Sequence, residues 1–400
     1  MRLSELGDVD GAIDVIHAAL DAGIRSLDTA DAYGPGGQIG HNERLVARAL
    51  ASWTGDAPIR VITKGGLTRP RAQWVPNGKA KHLAAACRAS LESLGRSQHD
   101  LYLLHAPDPK VPLATSVRAL AKLKKQGLAT AVGLSNVNLT QLREAEQLTD
   151  IAAVQVELSV AAQAPLYSGL VAYCREQGIE VIAHSPLGGP GRSRGLPKRG
   201  PLLALARQLG VTAHQLALAW LLDLDAGVTP IPGATRVETA GLAAAAPNGL
   251  PQTVRQELDQ AFGGGRRMRE STWPAQRDDD VILVMGIQGA GKSGYVTELT
   301  EQGYERLNRD ERGGTLAGLL PPLEAGLAEG RRRWTLDNTY PTRAQRGQVI
   351  DAARAHGAGV RCVWMDTPLH QAQFNAVFRL IERYGELPDP DSLSQLSKRD

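Results

Sequence analysis

Residues 24–34 read IRSLDTADAYG, a short apolar run that stops on Asp28 and is followed five residues later by Tyr33. A run of this length ending on a carboxylate is a strand that delivers a polar group to one rim of a sheet. Outward along the chain the same form recurs as IRVITKG (59–65), DLYLLHAP (100–107), TAVGLSN (130–136), AAVQVELS (152–159), IEVIAHSP (179–186) and VTPIPGA (228–234). Helix-period segments alternate with these runs, among them 11–23, 41–53, 81–95, 116–127 and 166–178, and each but 41–53 closes on glycine as helix C-termini commonly do. Seven such strands in strand-helix alternation predict an α/β fold, a (β/α)8 TIM barrel, whose chemistry sits at the C-terminal strand ends.

Titratable side chains stand at those ends repeatedly. Asp28 closes the first run, Lys64 the second and His105 the third, with Tyr33 just beyond Asp28. Singly each has a plainer role: a helix cap for Asp28, a surface position for Lys64, a satisfied buried histidine for His105. Their shared position at one mouth carries the weight. A lysine paired with a carboxylate beside a phenol favours the phenolate, which is expected to pull the Tyr33 pKa down from about 10 and make it a usable proton donor.

The blocks DTADAYG, VITKGG, LYLLHAPDP, VGLSN, VQVELS, AHSPLGG and IPGATR, in this order, resemble the signature blocks of the aldo-keto reductases over residues 1–263. The resemblance implies reduction of a small carbonyl substrate, or the reverse, with NADP(H). It makes Tyr33 the general acid, tuned by Lys64 and Asp28, with His105 orienting the carbonyl. It implies that Ser135, Asn136 and Gln155 hold the nicotinamide carboxamide, that His184 lies at the nicotinamide ring, and that the segment SPLGG, with Ser185 and Leu187, offers backbone donors to the pyrophosphate. Gly233, Arg236 and Glu238 would lie at the adenosine end, where Arg236 favours a 2′-phosphate and hence NADP over NAD. His184 stands where the family more often has a stacking aromatic. The opening MRLSE aligns with the end of the first barrel strand, so most of that strand is expected to be absent.

Residues 250–264 are helical in pattern, and 264–280 are rich in glycine and charge without apolar period, the composition of a linker. The strand-like VILVM (281–285) then runs into GIQGAGKS (286–293), a G-x-x-x-x-G-K-S phosphate loop in its proper context. ATP with Mg2+ is expected there. Gly286, Gly289, Ala290, Gly291 and Lys292 would cradle the phosphates, Lys292 would assist transfer, and Ser293 would ligate the magnesium. Residues 281–400 are accordingly expected to be a P-loop NTPase domain of parallel α/β type. The blocks GIQGAGKS, LNRDER, LDNTYPTRAQR and VRCVWMDTPLHQAQFNAVFR resemble the 5′-OH polynucleotide kinases across about residues 280–385. That resemblance makes Asp310 the base on a 5′-OH of RNA or DNA. It makes Arg312 a contact for the acceptor phosphate, Asp337 a second acid, Arg343 a contact along the strand and Arg379 a lid arginine. Asp310 and Asp337 fit helix caps as well.

Composition limits the remaining possibilities. At 400 residues, 42% apolar and 22% charged, the chain exceeds one hydrophobic core, and its net charge of +3 makes no general case for nucleic acid or membrane. From 281 onward 13 Arg and 2 Lys face 15 acidic residues, so any phosphate recognition there is local and arginine-led. Cys87, Cys174 and Cys362 are too far apart for a metal or disulfide grouping and are expected to be buried. No apolar run reaches membrane-spanning length and no leader is evident, so a cytoplasmic location is expected. The tail 387–400 is polar and is expected to be disordered. The expected whole is a bifunctional enzyme; the alternative is a small-molecule kinase joined to an idle barrel-like scaffold.

Overall fold

The computed structural model describes residues 2–5, 7–198, 200–262 and 280–365, with a few positions between 367 and 381. Two compact units divide the chain at Trp273 and Pro274.

In the first unit, seven strands form one parallel sheet: β1 (Ser26–Asp28), β2 (Arg60–Gly65), β5 (His99–Leu104), β6 (Ala129–Ser135), β7 (Ala153–Glu157), β8 (Glu180–His184) and β9 (Val228–Pro230), in that spatial order. A two-stranded hairpin, β3 (Leu67–Thr68) with β4 (Val75–Pro76), interrupts the run just after β2. Chain order equals sheet order because each crossover is a helix that lays an apolar stripe on the sheet. The helix Ala80–Leu94 shows how: Leu83, Ala86, Cys87, Ser90, Leu91 and Leu94 are buried at helical spacing, and Gly95 ends it in the left-handed region. The expected barrel with most of its first strand absent is found, among the described residues, as a seven-stranded, TIM-barrel-like sheet. Among the described residues β1 and β9 are its outer strands, and no ladder joins them. Inside it, Ile62, Leu101, Leu103, Ala153 and Ile182 form one core, while Trp220, Leu120 and Val154 belong to a larger one that includes residues of the outer helices.

The second unit holds β10 (Asp280–Met285), β11 (Glu305–Leu307), β12 (Trp334–Asp337) and β13 (Gly359–Trp364) in a parallel sheet of order β11-β12-β10-β13. Strand β10 is buried along its whole length, as expected of a central parallel strand. Asp280, expected to be the last linker residue, is instead the first residue of β10. It is 1% exposed, accepts from the Tyr304 hydroxyl at 2.8 Å and pairs with Arg361. The other linker positions, Arg379 and the tail lie outside the described residues. Cys87 and Cys174 are buried, but Cys362 is exposed on β13, whose side chains alternate between partial and full exposure at its end. Among the described residues no helix is long and apolar enough to cross a membrane.

Candidate active site and glycine loop

Strand β1 delivers Asp28 and β2 delivers Lys64 to the same rim, because Asp28 pairs in register with Ile62, two residues short of the lysine. The Lys64 side chain is fully buried; its Nζ donates to Asp28 Oδ1 at 2.8 Å, to Oδ2 at 2.7 Å and to the Thr29 carbonyl at 2.7 Å. Three acceptors satisfy all three ammonium protons, the condition under which a buried charge is tolerated. Burial presses this lysine toward neutrality, but Asp28 and Tyr33 outweigh it and its pKa lies above the ordinary value.

The same Nζ lies 5.0 Å from the Tyr33 ring centroid, and His105, at the end of β5, meets that ring edge-on at 5.4 Å. Asp28, Tyr33, Lys64 and His105 therefore converge as the strand ends suggested. The expected depression of the Tyr33 pKa is not what the site does. Burial raises it more than the Lys64 charge lowers it, and Asp28 and Asp31 add to the rise, so the phenol stays protonated. His105 moves the other way: burial first, then the charge of Lys64, lowers it to about 3, leaving a neutral imidazole. Its Nδ1 is buried without a hydrogen-bond partner.

Neighbouring strands supply the amides. Gln155 on β7 donates to Asp28 Oδ1 at 2.8 Å, so a residue expected to serve the cofactor also fixes the carboxylate. Asn136 sits just past β6 with φ 57°, a left-handed conformation that asparagine tolerates. From there it donates to the His105 carbonyl at 3.0 Å and meets His184 Nε2 at 3.1 Å. Ser135 is 1% exposed and hydrogen-bonded to Asn136 at 3.1 Å. Ser185, also left-handed at φ 51°, meets His184 Nδ1 at 3.3 Å, and Leu187 follows as a partly buried residue against the large core. Gly233, Arg236 and Glu238 are exposed beyond β9, and the Arg236 backbone begins the helix Val237–Ala244 through bonds with Thr239.

Two carboxylates that the sequence reading passed over lie behind this set. Asp31 is 3% exposed, and burial followed by the charge of Glu43 raises it to about 8. Glu43, fully buried on the helix His41–Ser52, accepts from Thr63 at 2.6 Å. An acidic residue inside IRSLDTADAYG was visible, but its burial depended on a helix 10 residues downstream.

In the second unit the loop after β10 has Gly286 at φ 153°, Gly289 at φ 78° and Gly291 at φ 88°, conformations that explain glycine at all three positions. A Cβ on Gly289 would lie 2.0 Å from the Ala372 carbonyl oxygen. The helix Lys292–Glu301 starts immediately after Gly291, with Ser293 exposed in its first turn. Lys292 Nζ folds over the loop and donates to the carbonyls of Gly286 at 2.9 Å and Ile287 at 2.8 Å. Ala290 is buried beneath the loop.

Because β10, β11 and β12 are parallel, the segments after them reach the same rim. Asn308, just past β11, caps the four-residue helix Arg309–Arg312, accepting from the Asp310 backbone N–H at 2.6 Å and that of Glu311 at 3.2 Å. Asp310 is exposed and bonded to the Arg309 guanidinium at 2.8 and 3.1 Å, and Arg312 is exposed. Asp337 ends β12 with a side chain 2% exposed, taking two N–H donors from Arg306 at 2.9 and 2.5 Å and one from Asn308 at 2.9 Å. Asp337 thus takes three protein donors in a buried position, whereas Asp310 takes two, both from Arg309, at the surface. Arg343 is exposed at the start of the helix Arg343–Ala355. Asn308 and Arg306 were missed in the sequence, although an asparagine before RDER is a helix-cap pattern.

Comparison with known proteins bears on the first unit. Residues 7–260 match the aldo/keto reductase family. An uncharacterized oxidoreductase of Schizosaccharomyces pombe is 34% identical over 233 residues, covering 58% of this chain and 72% of its own length. A probable aldo-keto reductase of Glycine max is 32% identical over 260 residues, with 58% and 73% covered. Among solved structures, an aldo/keto reductase from Klebsiella pneumoniae in complex with NADP and acetate is similar at 26% identity and TM-score 0.56, covering 68% of this chain and 89% of that one. The paired Asp28 and Lys64, the phenol and the imidazole they face, and a match across most of the first unit place this chain in the aldo/keto reductase family.

Proposed function

We propose that the first unit reduces a small aldehyde or ketone with NADPH, or runs the reverse oxidation, and that the second transfers phosphate from ATP to a hydroxyl, that of a nucleic-acid 5′-end. The observation that supports the reductase reading best is a protonated Tyr33 set between a charged Lys64 and a neutral His105. The nicotinamide supplies the hydride when bound, and everything else falls to the side chains. Tyr33 gives its proton to the carbonyl oxygen. Lys64, 5.0 Å from the ring, offsets the phenolate charge left behind, and Asp28 holds Lys64 in place. His105, uncharged, directs the oxygen without competing for the proton. Ser135, Asn136 and Gln155 are neutral polar groups at adjacent strand ends, which fits a carboxamide; Arg236 is exposed and fits a 2′-phosphate.

For the second unit, the three glycines with positive φ and the helix that starts at Lys292 fit a polyphosphate. Lys292 would contact the transferred phosphate, Ser293 would hold magnesium and Asp310, exposed at the same rim, would accept the acceptor's proton.

Both readings are tested on the intact 400-residue chain. Fluorescence titration should show saturable NADPH binding, and labelled ATP should mark a 5′-hydroxyl oligonucleotide. No NADPH binding would leave the barrel an idle scaffold, and label on metabolites alone would reject the nucleic-acid acceptor.

A further inference from the structure

The hairpin that follows β2 places a cation beside the phenol. Trp74 meets the Tyr33 ring edge-on at 6.3 Å and the His105 ring at 6.0 Å, and the Arg69 guanidinium lies over Trp74, 4.4 Å from the ring centroid. Arg69 Nη1 donates to the carbonyl of Gly34, the residue after Tyr33, at 3.2 Å, and Nη2 makes a weak bond to the Ala72 carbonyl at 3.4 Å. Its Nε is buried with no hydrogen-bond partner. Among the described residues no carboxylate pairs with this half-buried arginine. Arg71 and Ala72 hold φ of 51° and 62° in the turn between, a strained pair that bends the chain so that Trp74 returns over the site.

An arginine needs strong partners to be worth burying, and stacking on an aromatic with two carbonyl contacts, one of them weak, leaves one N–H on each Nη unpaired. Stacking also fixes the plane of the guanidinium, so that little entropy is lost when a bidentate acceptor arrives. Trp74 itself is 43% exposed and presents an apolar edge between that cation and the reacting phenol. We infer that the substrate is an aldehyde or ketone bearing a carboxylate, its carbonyl at Tyr33 and His105, its body against Trp74 and its anionic end on Arg69. This rests on the reductase reading and adds the substrate class to it.

Two measurements on the intact 400-residue chain separate the inference from that reading. The first is calorimetric titration of the NADPH-saturated protein with benzoate. The second is steady-state reduction of 4-carboxybenzaldehyde and of benzaldehyde. Arg69→Met should weaken benzoate binding at least tenfold and raise KM for the carboxylated aldehyde at least tenfold. It should leave kcat and the constants for benzaldehyde within about twofold, and Arg69→Lys should recover part of the loss. An equal loss on both aldehydes would overturn the inference, showing that Arg69 merely holds the Gly34 turn. So would wild-type protein that reduces benzaldehyde but binds benzoate no better than the Met variant. Arg69-dependent benzoate binding without turnover of either aldehyde would uphold the anion site and reject the reductase reading instead.

Discussion

Protonation decides what each residue at the reductase site can do. Tyr33→Phe removes the donor and should lower carbonyl reduction by 10²- to 10⁴-fold, the usual range for a general acid, with NADPH affinity nearly intact by fluorescence titration. Because His105 is lowered to about 3, the pH profile of kcat/KM should show no limb near 6.5 from this imidazole. A limb there that vanishes in His105→Gln would mean the histidine works charged. Asp31 gives a stability test. Its folded pKa of about 8 lies above its ordinary 3.8, so the stability it contributes is fully present below 3.8 and lost as pH rises through about 8. Asp31→Asn should therefore raise the melting temperature at pH 8, with the gap closing at pH 4. The sequence showed which groups ride on strand ends, since that is a matter of spacing. It did not show the sign of the Tyr33 shift, because burial comes from Trp74 and the turns around the ring, and these are set by tertiary packing.

At the level of elements, parallel pairing made the sites legible, because it brings every strand end to one rim however far apart the residues are in the chain. Asp337 lies in register with Val284, so the acid that ends β12 and the loop after β10 had to meet at one edge. What pairing cannot specify is which acid is engaged by its neighbours. Asp337 is held in the interior by Arg306 and Asn308, whereas Asp310 stands exposed on a short capped turn beside Arg309, and for that reason Asp310 is the base we propose. Lys292→Ala should abolish phosphoryl transfer and weaken ATP binding together, since it removes a cation from the phosphates. Asp310→Asn should abolish transfer with ATP affinity retained. Lost Mg-ATP binding with surviving transfer at saturating nucleotide would instead make Asp310 a metal-shell residue.

For the whole molecule, the chain divides into two compact units, so the two proposed activities, if both are present, should be separable. Tyr33→Phe should leave phosphoryl transfer unchanged, and Lys292→Ala should leave carbonyl reduction unchanged; a parallel loss in either variant would reveal coupling between the units. The strand count needed the structure for a different reason. Seven strand-like runs in the sequence became seven strands, and whether such a sheet closes depends on which strands lie at its ends.

Those ends carry a consequence of their own. The outer strands β1 and β9 are only three residues each, and β9 closes on Pro230, which has no N–H to offer. An open parallel sheet normally invites further chains to add along its rim, and very short margins with a proline blunt that invitation. Fibrillar assembly through this sheet should accordingly be slow, and a dye that brightens on cross-β stacks should stay dark in concentrated solutions of the native protein.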